Sequence, residues 1–283
     1  MKIWILCVVV LIVIIFYLQE KKNYNRAPKI IWSYWQGPIS KTVEMCKKSW
    51  SKWNPDYQII MMTDKTYHSY VTIPENIRSH PNFRDVPARF ADLVRVWTLA
   101  EHGGVWMDAS ILVKAPLDSW MFPKYAEFSG FYRWVSTTNP QFPVIENWFF
   151  ACNKGCKFLQ LWRDEFSEIA RFPSVADYVE SRKRAGVDVQ EIHGPIYLAM
   201  HVSAQKVLQL DKYPQDQMIL RVAELGPFRY MDETTWDSKK GLQLACQNKE
   251  YQAPMLKLCS AQRKALDEEI EGELSEERCG WLE

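Results

Sequence analysis

Apolar and polar positions fall into blocks that predict strands and helices in turn. Lys29 to Trp35 is an apolar run closed by Gly37-Pro38, which predicts a strand ending in a turn. Thr42 to Trp53 carries Val43, Cys46 and Trp50 on one helical face. Asn54-Pro55-Asp56 breaks that pattern, and Tyr57 to Met62 predicts a second strand. A strand–helix–strand opening of this kind predicts an α/β fold with a mostly parallel central sheet flanked by helices.

The middle of the chain has the sharpest pattern. Asp85-Val86-Pro87 starts a helix with proline near its first turn. Phe90, Val94 and Trp97 follow core-facing spacing, while Asp92 and Arg95 share another face. Gly103-Gly104 predicts the stop, because glycine permits positive φ. Val105 to Val113 then reads as a strand region interrupted by Asp108 and Ser110. Further on, Ile145 to Phe150 predicts a strand, Phe158 to Ala170 a helix, and Ala176 to Ala185 an exposed helix. Glu191 to Pro195 opens a helix over Ile196 to Leu208. From Ser260 the density of charge predicts a solvated helix or a frayed tail.

The N-terminus separates from this body. Ile3 to Leu18 is unbroken apolar sequence, followed by Gln19-Glu20-Lys21-Lys22-Asn23. An uncleaved single-pass anchor is the expected reading, because bulky and charged residues stand where a signal-peptide cleavage site would lie. The expected partition is therefore an anchor over 1–20, a stem over 21–28, a main domain over 29–260 and a charged helix or tail over 261–283. Membrane localisation follows: type II in the Golgi or ER of a eukaryotic or viral system, otherwise the cytoplasmic membrane. Lys21, Lys22 and Arg26 against Lys2 and the free amine lean the C-terminal side towards the cytoplasm by about one charge, which leaves sidedness open.

Composition changes little. The chain has 35 Lys and Arg against 34 Asp and Glu, so bulk charge gives no reason to expect nucleic acid as a partner. Its 13 Trp, 13 Tyr and 13 Phe fit a large aromatic core, flat surfaces that stack on sugars or bases, or both. Cys46, Cys152, Cys156, Cys246, Cys259 and Cys279 form an even set, with free thiols the default and Cys152–Cys156 or Cys246–Cys259 bridges left open. The Cys152-to-Cys156 spacing lacks the form of a zinc site.

Two readings of Asp108 stand. A carboxylate in an apolar strand must be paired, hydrogen-bonded or metal-bound; it either caps the next turn or faces a ligand at the strand's end. Asp92 and Arg95 taken alone read as a weak surface ion pair. Their helix, however, runs through the glycine stop into the Asp108 strand, so the three charges can converge.

The stretch Ala91-Asp92-Leu93-Val94-Arg95, then Gly103-Gly104-Val105-Trp106-Met107-Asp108-Ala109-Ser110, resembles the signature of sugar-transferring enzymes with a DXD motif. More narrowly, it resembles the capsular polysaccharide synthesis proteins, relatives of a group of mannosyltransferases and of the large clostridial glucosylating toxins. Pro28 to Pro38, Ser49 to Tyr57, Ile145 to Phe149 and His193-Gly194-Pro195 match in the same order. The resemblance implies a GT-A fold and a membrane-anchored glycosyltransferase acting with retention. It also implies a nucleotide-sugar donor, a glycan acceptor and a divalent cation, Mn²⁺ or Mg²⁺. Carried over, Trp35 corresponds to the aromatic that stacks on the base, and Asp92 and Arg95 to the pair gripping donor sugar and diphosphate. Asp108 corresponds to the first DXD carboxylate. Asn147 joins the donor-binding set, and the metal would fall to Asp108, Ser110 and His193.

Ser110 departs from the pattern: it stands where relatives with the full motif have a second carboxylate, and a neutral hydroxyl is a weaker ligand for a hard cation. A fold that binds nucleotide or glycan without turnover is therefore the alternative. A hydrolase is disfavoured, since no second acid accompanies Asp108 at the spacing that class needs.

Overall fold

A computed structural model describes residues 27–121, 126–247 and 253–271. The expected anchor over 1–20 and the greater part of the stem lie outside the described residues. Among those described, no helix is long and apolar enough to cross a membrane.

Six strands form the central sheet: β1 (Ile30–Tyr34), β2 (Gln58–Met62), β3 (Gly104–Met107), β5 (Phe128–Arg133), β6 (Val144–Cys152) and β7 (Met218–Val222). Their spatial order is β2-β1-β3-β6-β5-β7. β1 pairs in parallel with β2 and β3, and β5 with β7, while β6 runs antiparallel to both its neighbours. The sheet is thus mostly parallel, with β6 alone reversed. A second, two-stranded antiparallel sheet joins β4 (Ile111–Val113) to β8 (Met255–Lys257).

Both faces of the large sheet are covered, which is why β3 is apolar and buried throughout. Side chains alternate between two cores, as period-two geometry requires. Trp32, Trp106 and Phe150 enter one core; Ile31, Val105, Met107 and Phe149 enter the other. The first core is closed by α2 (Pro87–His102), α3 (Lys157–Ser167) and α5 (Ala199–Gln209). The second is closed by α1 (Lys41–Trp53), through Trp50, and by the small sheet. Between α3 and α5 in sequence lies α4 (Val175–Arg184). The chain continues after β7 through α6 (Ser238–Gln247), then β8, then α7 (Ser260–Glu271).

Four expectations are revised in detail. Val105 to Val113 is not one strand: the chain turns at Asp108-Ala109-Ser110, with Ile111 N–H donating to the Asp108 carbonyl at 3.0 Å, and β4 leaves for the second sheet. The helix expected from Ile196 starts at Ala199, because Gly194 at φ 73° opens a turn that spans Pro195 to Leu198. On α2, Val94 is fully buried but Phe90 and Trp97 are only partly so, while Arg95 is buried at 4% exposure. The charged segment after Ser260 is a packed helix on one side: Ala265 and Leu266 are buried, and Asp267 accepts from Thr42 N–H at 3.0 Å and its hydroxyl at 2.6 Å.

The glycine stop has a steric cause beyond its backbone angles. A side chain on Gly103 would meet the Lys154 backbone nitrogen at 2.5 Å, and one on Gly104 the Ile30 carbonyl at 2.8 Å. Both glycines have positive φ, and the Gly103 carbonyl accepts from the Trp32 indole at 3.0 Å. The close approach fixes where α2 hands over to β3.

Candidate functional site

Strand order reverses at β1: β2 lies on one side and β3 on the other. Such a switch point opens a crevice at the C-terminal ends of the two strands. Trp35 directly follows β1 and extends its ladder, donating its N–H to Met62 at 2.9 Å. Asp108 directly follows β3 and donates its N–H to the Trp148 carbonyl at 2.9 Å. The topology therefore delivers both to one place.

Arg95 joins the two acids. Its Nη1 donates to Asp92 Oδ1 at 2.6 Å and its Nη2 to Asp108 Oδ1 at 2.7 Å. The Trp106 indole adds a hydrogen bond to Asp108 Oδ1 at 3.0 Å, and the guanidinium lies 5.0 Å from the Trp106 ring centre. Asp108 Oδ2 is taken by Lys257 Nζ at 2.6 Å, and the same ammonium reaches Ser110 Oγ at 3.1 Å. Burial would push the Asp108 carboxyl up, but Lys257 and Arg95 together outweigh it and hold it at about 2. Asp92 goes the other way: burial raises it, Arg95 opposes, and the Asp108 charge adds to the rise. Asn147 donates to Asp92 Oδ1 at 3.0 Å.

These groups open on a cleft of about 570 Å³, within the range of small-molecule sites. Five basic side chains line it (Arg89, Arg95, Arg133, Lys257, Arg263) against three acids (Asp92, Asp108, Glu146). The near-neutral chain thus concentrates an excess of positive charge here. Aromatic walls come from Tyr34, Trp35, Trp148, Tyr197, Phe228 and Trp236. Several lining residues carry a buried polar atom with no partner among the described residues: Tyr34 Oη, Arg89 Nε, Arg95 Nε, Trp148 Nε1 and His201 Nδ1. Buried polar atoms without partners are rare in native proteins, and five in the residues around one cleft make its wall unusually under-satisfied. Burial also pushes the Tyr34 hydroxyl up to about 12, so it stays a neutral donor.

Trp35, Asp92, Arg95, Asp108, Ser110 and Asn147 all line this cleft; His193 does not and is exposed. The histidine of the cleft is His201, whose Nε2 lies 3.4 Å from Glu146 Oε2. The turn at Gly194 places His193 before α5, whereas His201 is on the helix that packs against β6. Sequence reasoning missed Lys257, Arg133, Glu146, His201 and Arg263. A lysine ending the apolar triplet Met255-Leu256-Lys257 was the available signal, the same signal that marked Asp108. The Arg263 guanidinium lies 5.6 Å from the Trp35 ring centre, and Trp35 Nε1 donates to the Pro38 carbonyl at 3.0 Å.

The residues present do not fit a divalent cation. Of the expected ligands, His193 is outside the cleft, and Asp108 and Ser110 are bridged by an ammonium. Among the described residues no three His, Cys, Asp or Glu side chains gather into a metal cage. A doubly charged ion about 4 Å from the ammonium would be repelled by roughly 8 kcal/mol at an effective dielectric of about 20.

The model of the family described as capsular polysaccharide synthesis protein matches residues 10–178, more than half of the chain. No curated protein matches the sequence. Among solved structures, the chain is similar to the PaToxG glycosyltransferase at 16% identity, covering 88% of this chain and 88% of that one, with a TM-score of 0.43. It is also similar to a glycosyltransferase involved in the glycosylation of the major capsid of PBCV-1, at 12% identity, 86% and 98% coverage, and a TM-score of 0.44. A third is the galactosyltransferase LgtC in complex with donor and acceptor sugar analogs, at 11% identity, 88% and 98% coverage, and a TM-score of 0.42.

Proposed function

The chain belongs to the capsular polysaccharide synthesis protein family, and from that premise we propose that it is a glycosyltransferase of GT-A type, moving a sugar from a nucleotide-sugar to a glycan acceptor. The observation that carries this reading is the Asp92–Arg95–Asp108 cluster at the sheet's switch point, facing a cleft with more cations than acids. Trp35 offers its ring to the base. Arg95 binds the diphosphate, and Asp92, steadied by Asn147, orients sugar hydroxyls. Asp108 holds the two cations that flank it in place. Trp148, Phe228 and Trp236 form an aromatic wall suited to the acceptor sugar.

As the bond to the donor breaks, negative charge grows on the departing diphosphate. Fixed cations in a cleft stabilise that charge without reorganising at the moment of reaction. Transfer proceeds with retention in this reading, and residues 3–18 tether the domain to a membrane.

Ser110 favours one other reading, a protein that binds nucleotide or glycan without turnover. Incubating the full chain with a panel of nucleotide-sugars and oligosaccharide acceptors separates the two. Release of nucleoside diphosphate together with a mass-shifted acceptor is expected. Nucleotide binding with neither product would leave only the binding reading standing.

A further inference from the structure

Resting on the reading of the cleft as a donor site, the geometry points to Lys257 as the group that replaces a divalent cation: with Arg95, its ammonium neutralises the departing diphosphate directly.

The argument begins with how firmly the lysine is placed. Lys257 ends β8, registered opposite Ile111 on β4, which begins just after the Asp108 turn. Its N–H donates to the Pro227 carbonyl at 3.2 Å, and its carbonyl accepts from the Tyr230 hydroxyl at 2.7 Å. The following N–H, of Leu258, donates to the Ser110 carbonyl at 2.9 Å. The backbone is therefore clamped from both sides, and the side chain is 9% exposed.

A buried ammonium is costly unless paired, and here the pairing is with two of the three residues expected to hold the metal. Asp108 Oδ2 and Ser110 Oγ use two of its three protons. Lys257 also lines the cleft, so the third can go to a diphosphate oxygen. Arg95 stands on the other side of Asp108, its two terminal nitrogens holding Asp92 and Asp108. Two fixed positive charges thus stand on either side of Asp108, and with Asp92 the cluster of two cations and two carboxylates is balanced, Lys257 being the cation that balances it. Serine at 110 is explained on the same terms. A carboxylate there would be the third against two cations and turn the cluster net negative, whereas a hydroxyl accepts one hydrogen bond and keeps the balance.

In the transfer step the bond between the anomeric carbon and the β-phosphate oxygen breaks, with its electron pair passing to that oxygen. The acceptor hydroxyl oxygen forms the new bond to the anomeric carbon, and its proton leaves with the diphosphate or to solvent. Lys257 and Arg95 balance the added charge by hydrogen bonding and change protonation in neither direction.

The test measures UDP and GDP binding to the full chain by calorimetry, and turnover of whichever nucleotide-sugar it uses, in EDTA and in Mn²⁺. The expected result is equal affinity and equal turnover in both. Lys257→Met is expected to weaken binding about tenfold or more in both buffers, the loss of a charge-assisted hydrogen bond, with Lys257→Arg recovering part of it. Activity that EDTA abolishes and Mn²⁺ restores overturns the proposal while leaving the donor-site reading intact. Wild-type affinity in Lys257→Met overturns it likewise. The wild-type comparison needs no substitution, so it decides the matter even if a variant fails to fold. Failure of the wild type to bind either nucleotide in either buffer would overturn the donor-site reading itself.

Discussion

Glu165 and Asp108 are both carboxylates held by two cations inside the fold, yet they differ in what their partners have left over. Glu165 sits among α3, α4 and α5, where it accepts from Arg182 Nε and from the Tyr178 hydroxyl at 2.8 Å, with Lys206 Nζ at 3.3 Å. Lys206 is in turn tied to Asp211 at 2.8 Å. Nothing there faces the cleft. Asp108 has the same kind of cation pair, but Lys257 keeps a spare proton beside an open volume. A buried ion cluster by itself is a structural device. It marks a site where its cations retain capacity towards a cavity.

The largest expected effect that separates the clusters is catalytic. Asp108→Asn should lower kcat for sugar transfer by about a hundredfold to a thousandfold, measured on protein whose unfolding curve shows it folded; near-normal turnover would remove Asp108 from the site. Glu165→Gln should do the converse. It should lower the stability measured by denaturant unfolding by about 3 kcal/mol, since it strands two cations, with kcat per folded molecule unchanged. A loss of kcat in that variant would erase the distinction between the clusters.

Smaller effects sharpen the picture. Trp35→Ala should weaken nucleoside diphosphate binding by about 1–3 kcal/mol, the usual worth of base–aromatic stacking, in a titration with UDP or GDP. Unchanged affinity would place the base elsewhere in the cleft. The smallest effect is in pH dependence. The Asp108 carboxyl is held at about 2 against an ordinary 3.8, so its contribution to stability is complete above the ordinary value and lost as pH falls through about 2. Asp92, raised by burial, has the opposite sign: its contribution is present below the ordinary value and lost as pH rises through its own. Melting temperature against pH for the wild type, minus that for Asp108→Asn, should therefore narrow between about pH 4 and 2. A difference that stays constant across that range would mean Asp108 is not held by its cations.

The part of the site legible in the sequence was the part written contiguously. Asp92, Arg95 and Asp108 fall within one helix–glycine–strand segment, so local periodicity places all three. Trp35 was accessible because the first strand is long enough to show its end. Lys257 had only the weaker signal of a lysine closing an apolar pair, because β8 is a three-residue strand, too short for any period to register. His201 was passed over for His193, since a Gly-Pro pair looks like a helix start when it is a turn. The parallel sheet followed from the opening strand–helix–strand order, but the reversal of β6 could not. Its direction depends on pairing with β3 and β5 across long intervals of chain. The corner at Asp108 was misjudged as continuous strand because β4 is as apolar as β3, although it belongs to a different sheet.

The hydrogen bond from Lys257 to Asp108 spans 149 positions of sequence. During synthesis, which runs from the N-terminus and lets elements fold as they emerge, the motif-bearing helix and strand are made long before their second cation exists. On this view the nascent protein binds nucleotide more weakly until Lys257 has been translated and paired. Ribosome-arrested chains that stop short of Lys257 should bind a nucleoside diphosphate about tenfold or more weakly than chains that include it.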